Sequence, residues 1–342
     1  MPRLESHSAN TSWQDITIEK LENRLIIEPD DRPAIKRLVT ILDSYVPNRL
    51  GLGTYSDCQR KLAIQFQKET WISDILRPGK TAEHYKKWQA FLNSKGVNPQ
   101  IPITQLSAGN THKISGEETY CSLRLSLFEK EEVISRICHD CYKVQILPLN
   151  LMALMQVYFV VQGLELPRDN ARKCMVELRE DVPFPYKGYI YCESEDEAHF
   201  CLRKFQQTLE AFHISNVYFG ISHGCSEYGL KYPKFKYSKD GTHRSFERPA
   251  LWDQAESKFF TVNPKPLIAG KGFNKDGISV RDVIGFRTWI DYAEIIGDDS
   301  FRKFRDGPND KKPEPFATRI RKQSQLRKSQ MEELRERLSS NA

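Results

Sequence analysis

Long apolar runs are missing from this chain, and so are several motifs that would fix its chemistry. Val144–Leu164 is 21 residues without a charge, but Gln145, Pro148, Asn150, Gln156 and Gln162 interrupt it. A spanning helix needs about 20 predominantly apolar residues, so no membrane span is expected. The opening residues, Met-Pro-Arg-Leu-Glu-Ser-His-Ser, have no apolar core of the kind a secretion signal requires. Cysteine is sparse: eight in 342 residues is not the dense framework of a disulfide-stapled secreted domain. The expectation is a reducing, cytoplasmic setting in which clustered thiols bind metal or stay free. His-Glu-x-x-His, the glycine-rich phosphate loop, and the His-x-Glu with Pro-Cys-x-x-Cys pattern of zinc deaminases are all absent.

Net charge is scarce outside one segment. The chain carries 51 Lys and Arg against 45 Asp and Glu, a net +6. Residues 301–342 hold 12 basic and 6 acidic residues, and their surplus of 6 equals the whole net charge. A basic surface is therefore the tail or a local patch, not a global field. Hydrophobic residues at 39% and aromatics at 11% suffice for a real core, and 28% charged residues mark a soluble protein.

The pattern along the chain predicts an α+β protein. Residues 1–12 are polar and expected to be disordered, and 13–97 read as a helical region. There, Leu21, Leu25 and Ile26 precede the break at Pro29 and Pro33, and Ile35, Leu38, Val39 and Leu42 follow at helical spacing. This hairpin resembles a junction between tetratricopeptide-type helices, but no second copy recurs at a fixed period. Further helices are expected over 57–76 and 81–94. Residues 98–136 read as a linker and connecting segment. Residues 231–306 read as a mixed C-terminal region, and 307–342 as a basic tail with an exposed, fraying helix.

The middle of the chain is the most legible. Tyr142–Ile146 alternates as a strand, and Leu151–Gly163 is an apolar helix ending at glycine. Cys174–Arg179 and Lys187–Cys192 alternate again, Ser194 opens a helix over acidic residues, and Val217–Ile221 closes the set. The order βαββαβ is that of ferredoxin-like domains, here assigned to residues 137–230. Its sheet order, 4-1-3-2 with antiparallel neighbours, brings Cys138, Cys141, Cys174, Cys192 and Cys225 to one edge. Cys138 and Cys141 form a Cys-x2-Cys pair, a spacing that lets one turn grip a tetrahedral metal. The predicted site is Cys138, Cys141, Cys174 and Cys225, with Cys192 or His223 as alternatives for the fourth ligand. Zinc is the expected ion, and an iron–sulfur cluster would use the same thiolates.

Parity within those strands places Lys143, Gln145, Glu177, Arg179, Tyr189, Tyr191 and Tyr218 on one face, and Val144, Val176, Leu178, Ile190 and Phe219 on the other. Lys187-Gly188-Tyr189-Ile190-Tyr191 resembles the start of the third-strand signature of the RNA recognition motif. The Ser-Glu-Asp-Glu-Ala after it resembles that family's helix opening. The resemblance covers residues 141–223. It departs at Ile190, where the family has a small residue, at Ser194, which holds the last aromatic position, and on the first strand, which exposes no aromatic. It implies base stacking on Tyr189, Tyr191 and Tyr218, with cationic contact from Lys143 or Lys187.

The leading expectation is a zinc-containing nucleic-acid-binding protein that uses this face and the basic tail. A protein–protein adaptor, engaging its partner through the N-terminal helices, is the rival from another class. An enzyme centred on the cysteine cluster or on Ser222 is a third. Gly220-Ile-Ser-His-Gly224 matches the Gly-x-Ser-x-Gly elbow of serine hydrolases, but the surrounding chain lacks their repeated strand–helix order.

Overall fold

Ser12 starts the first helix as a capping box. In the computed structural model its hydroxyl accepts from the Asp15 N–H, and its own N–H donates to the Asp15 carboxylate, satisfying donors that a helix start leaves unpaired. The described residues are 12–43, 51–66, 71–99, 110–112, 121–166, 168, 170–180, 182–235, 246–263, 278–305, 318 and 320–340. Helix α1 covers Trp13–Ile27 and α2 covers Arg32–Asp43, breaking where the prolines predict. Ala34, Ile35, Leu38, Val39 and Leu42 form the buried stripe of α2. Helices α3 (Thr54–Phe66), α4 (Trp71–Ile75) and α5 (Lys80–Ser94) follow, so the single helix expected over 57–76 is two. The proposed disorder of residues 1–11 lies outside the described residues.

The expected linker is structured where it is described. Strand β1 (Asn110–His112) pairs with a later strand, and helices α6 (Cys121–Glu131) and α7 (Arg136–His139) lead into the sheet. Then come β2 (Tyr142–Pro148), α8 (Leu151–Gly163), β3 (Arg172–Val176), β4 (Tyr186–Cys192), α9 (Glu195–Ala211) and β5 (Val217–His223). Asn150 and Ser194 cap α8 and α9 through side-chain oxygens, and three acidic residues fill the first turn of α9. The five strands lie in the order β1-β3-β4-β2-β5, every pair antiparallel. The last four thus stand in the expected 4-1-3-2 order, with β1 as an added edge.

Alternation along the strands sorts the two faces. Val144, Ile146, Cys174, Val176, Tyr186, Ile190 and Cys192 are buried on the face covered by α8 and α9. Lys143, Gln145, Tyr189, Tyr191 and Tyr218 share the opposite face and are partly buried.

Helices α10 (Ser226–Lys231) and α11 (Leu251–Val262) precede α12 (Val280–Ile296), which ties the N-terminal helices to the sheet. Its Val283, Ile284, Phe286, Trp289, Ile290 and Tyr292 are buried in a core shared with α1–α5 and the inner sheet face. A polar knot fixes its first turn. Ser279 Oγ lies 2.8 Å from Asp43 Oδ1 and from Asp282 Oδ2, Tyr158 donates to Asp282 Oδ1 at 2.7 Å, and Arg281 pairs with Asp43 at 2.6 Å. Burial, and then the charge of Asp43, push the Asp282 carboxyl up to about 7. Gly297 ends α12 in the left-handed region at φ 79°, which glycine adopts without a Cβ clash.

The tail departs most from expectation. Helix α13 (Ser324–Ser340) is no fraying extension, because Arg327, Met331 and Leu334 are buried. Leu334 and Leu338 pack on Leu147 and Tyr218 of the outer sheet face and on Leu149 and Phe184 in the loops beside it. Arg327 donates to the carbonyl oxygens of Val182 at 2.8 Å and Arg179 at 2.6 Å. Residues 324–340 hold four basic and three acidic residues, so most of the tail's surplus charge lies before this helix, whose apolar side packs on part of the outer sheet face. No described helix is long and apolar enough to cross a membrane.

Candidate functional site

The register of β2 brings three of the four predicted cysteines to one end of the sheet. Tyr142 pairs with His223 on one side and with Cys192 on the other. Cys141 stands just before β2 and Cys225 just after β5, and the Gly224 N–H donates to the Cys141 carbonyl at 2.8 Å, extending the ladder one step. Cys138 rides on α7, where Ser135 Oγ accepts from its N–H at 3.3 Å. Its side chain is buried with Ile134, Tyr228 and Phe235, and Cys225 packs against the same group. Burial raises the Cys138 thiol and pushes Cys141 up to about 12.

Lys143 lies among these sulfurs. Its Nζ is 3.2 Å from Cys225 Sγ, 5.5 Å from the Tyr191 ring centroid and 6.0 Å from that of Tyr189. The cross-strand register explains this, since Lys143 pairs with Tyr191 on β4 and with Ser222 on β5. Burial works against its charge, but the Cys225 sulfur, Tyr191 and Cys141 outweigh it and hold the ammonium above its ordinary range. Arg124 of α6, fully buried, is a second cation felt by Cys121 and Cys138. Cys121 and Arg124 were not expected here, because both fall in the segment read as a linker.

The remaining predicted ligands are elsewhere. Cys174 pairs with Gly188, four residues in from the thiol end of β4, and its side chain is buried on the inner face. Cys192 also points inward, hydrogen-bonded with Cys201 of α9. His223 has both ring nitrogens engaged, Nδ1 with the Phe235 carbonyl at 2.8 Å and Nε2 with the His139 carbonyl at 2.5 Å. Among the described residues no group of three or more His, Cys, Asp or Glu side chains is placed to hold a metal ion. The zinc and metal-binding expectation is therefore corrected. Sheet order does bring strand ends together, but inner-face parity removes Cys174 and Cys192, and the cation beside Cys225 is an ammonium.

The outer face also needs correction. Lys187 is buried, its Nζ 3.1 Å from Glu177 Oε2. Burial lowers Lys187 to about 8. Glu177 also loses affinity for its proton, but for it this favours the charged form: burial opposes its charge, and Arg179 and then Lys187 hold it down to about 2. The asymmetry has a cause, for Glu177 accepts from the Arg179 guanidinium and N–H as well as from Lys187. Lys187 is thus a structural ion pair under α13 and is not available to a phosphate, and Tyr218 is covered by Leu334 and Leu338. Lys143, Tyr189 and Tyr191 remain on the part of the face toward the thiols. The two tyrosine rings have centroids 6.2 Å apart, tilted by 40°.

Ser222 is no elbow nucleophile. It lies inside β5 opposite Lys143, in an antiparallel sheet. The turn from β5 into α10 is instead made by Gly224, at φ +60°, and Cys225.

No family model and no solved structure matches the chain. A stretch of 96 residues is 34% identical to part of jacalin-related lectin 16 of Arabidopsis thaliana, covering 27% of this chain and 18% of that protein. So short an overlap assigns the chain to no family.

Proposed function

We propose that this protein binds single-stranded nucleic acid on the part of a ferredoxin-like sheet face, beyond the α13 contacts, where Lys143, Tyr189 and Tyr191 stay partly exposed. The supporting observation is the grouping of Tyr189 and Tyr191 on adjacent outward positions of β4, with the Lys143 ammonium within 6.0 Å of both rings. Two aromatic faces and one cation offer stacking together with phosphate attraction, a combination that tolerates many sequences. Lys187 and Tyr218 drop out of the surface, so the footprint is smaller than the sequence implied. Eight free cysteines fit a reducing, cytoplasmic setting.

Fluorescence anisotropy with a labelled single-stranded RNA, at several salt concentrations, tests this. Each stacked base is worth about 1–3 kcal/mol, so Tyr189→Ala combined with Tyr191→Ala should weaken binding at least tenfold at every salt concentration. Lys143→Ala should reduce the salt slope by about 0.7, the value of one phosphate contact on a single strand. A double tyrosine variant that binds like the parent would refute the proposal.

A second reading, a protein-binding adaptor, is favoured by α1. Trp13, Ile16, Ile26 and Ile27 are exposed there, Ile27 by 81%, on the helical region expected to meet a partner.

A further inference from the structure

Cys225 differs from the other thiols in position and in partner. It occupies the turn between β5 and α10 and keeps part of its surface exposed, whereas Cys58, Cys174, Cys192 and Cys201 are core residues. The only hydrogen bond of Lys143 Nζ among the described residues is the one to Cys225 Sγ, at 3.2 Å. No carboxylate pairs with this ammonium among the described residues. A half-buried cation requires a compensating negative group, and the nearest group able to supply one is the Cys225 sulfur. An adjacent lysine favours the thiolate, the form that reacts with electrophiles and oxidants. Cys138 packs into the same small cluster of Ile134, Tyr228 and Phe235 against which Cys225 rests, so a second sulfur is at hand.

We propose that Cys225 is a peroxide-reactive thiol and that Cys138 resolves it, closing a reversible disulfide at this end of the sheet. In the first step the Cys225 thiolate attacks one oxygen of hydrogen peroxide. The O–O bond breaks, hydroxide leaves and is protonated to water, and sulfur is oxidised by two electrons to the sulfenic acid. In the second step the Cys138 sulfur gives up its proton and attacks the Cys225 sulfur. The S–O bond breaks, and the departing hydroxyl takes that proton as water. Two thiols and one peroxide thus become one disulfide and two waters. The Cys225 sulfur gives up its negative charge in the first step, which leaves the Lys143 ammonium facing Tyr189 and Tyr191. The chemistry stands whether or not that face binds nucleic acid.

The test uses the full chain, reduced and then given one equivalent of hydrogen peroxide. Remaining thiols are alkylated and mapped by mass spectrometry. The expected product has lost two hydrogens and contains a Cys138–Cys225 crosslinked peptide, with Cys58 and Cys201 still alkylatable on unfolding. Cys138→Ser should trap a sulfenic acid on Cys225, captured by dimedone. Lys143→Met should slow oxidation of Cys225 by about tenfold, while Lys143→Arg restores the rate, as expected of a sulfur activated by a neighbouring cation. The parent's own labelling pattern needs no variant to fold. Oxidation of Cys225 no faster than that of Cys58 or Cys201, thiols released only by a chelator, or a disulfide joining Cys225 to Cys141 would each overturn the assignment.

Discussion

Replacing Arg327 by alanine tests whether the tail is part of the fold. The guanidinium is fully buried, and through Nη1 it donates to Val182 O at 2.8 Å and Gln330 Oε1 at 3.0 Å. Through Nη2 it reaches Arg179 O at 2.6 Å, Gln323 Oε1 at 3.2 Å and Glu177 O at 3.3 Å. Three of these acceptors are main-chain carbonyls in the segment that follows β3, so one side chain staples α13 to that segment. A hydrogen bond to a charged group is worth about 1.5–3 kcal/mol net. The two short carbonyl bonds alone then give about 3–6 kcal/mol, and removing a charged partner from a buried network costs about 3–5 kcal/mol. We take about 3 kcal/mol as the lower bound for undocking α13, which is roughly a hundredfold in the opening equilibrium. Native-state hydrogen exchange of the amides in residues 328–340 reads this directly. Arg327→Ala should cut their protection by about a hundredfold or more, while amides of β2 and α12 change much less. Arg327→Met, which refills the apolar volume, should recover under half of the loss. Protection in α13 within about threefold of the parent, under 1 kcal/mol, would refute a docked tail.

Gly224→Ala should destabilise the thiol end of the sheet. The position needs φ +60° and an added Cβ would overlap the Phe235 ring, so strain and overpacking together predict about 2–5 kcal/mol, measured by urea unfolding; a loss below 1 kcal/mol would contradict the turn geometry. The raised Asp282 carboxyl makes the folded chain bind a proton that the unfolded chain, with its carboxyl near 3.9, does not hold between about pH 4 and 7. Its contribution to stability is therefore full below about pH 4 and lost as pH rises through about 7. Urea midpoints of the parent should fall from pH 5 to pH 7.5 by more than those of Asp282→Asn, and parallel pH profiles would show that Asp282 is ionised throughout.

The strand order was legible because each piece of it had a local cause. Apolar alternation marked Tyr142–Ile146 and Lys187–Cys192, Asn150 and Ser194 marked the helix starts, and Gly163 marked one helix end. The tail was not legible for the opposite reason. Helix α13 buries a narrow stripe, Arg327, Met331 and Leu334, whose first member reads as surface in any composition count. A thin stripe on a charged helix carries no local sign of whether a partner surface exists for it. Here the partner is Leu147, Leu149 and Tyr218, residues about 110–190 positions earlier in the chain. The fate of Lys187 followed from the same long-range contact, since only a covered face turns that lysine and Glu177 into a buried pair.

At the thiol end, sheet order was a sound guide to proximity and a poor one to chemistry. It located Cys138, Cys141 and Cys225 together, because strand ends must meet wherever antiparallel neighbours are fixed. Choosing the fourth ligand required side-chain parity, and parity sends Cys174 and Cys192 inward. What decides the character of the cluster is the outward residue next along β2. Lys143 was assigned to the stacking face because it shares parity with Gln145, yet its four-carbon stem lets the ammonium reach back to Cys225 across one strand. The same reach places it over Tyr189 and Tyr191. One cation on β2 thus joins the thiols to the aromatic face, linking Cys225 beyond β5 to Tyr191 on β4 across two strand spacings, roughly 9.6 Å. Measuring RNA affinity before and after peroxide treatment would show whether that coupling has a consequence. If oxidation of Cys225 frees Lys143 to engage phosphate more closely, affinity should rise, and the rise should vanish in Lys143→Ala.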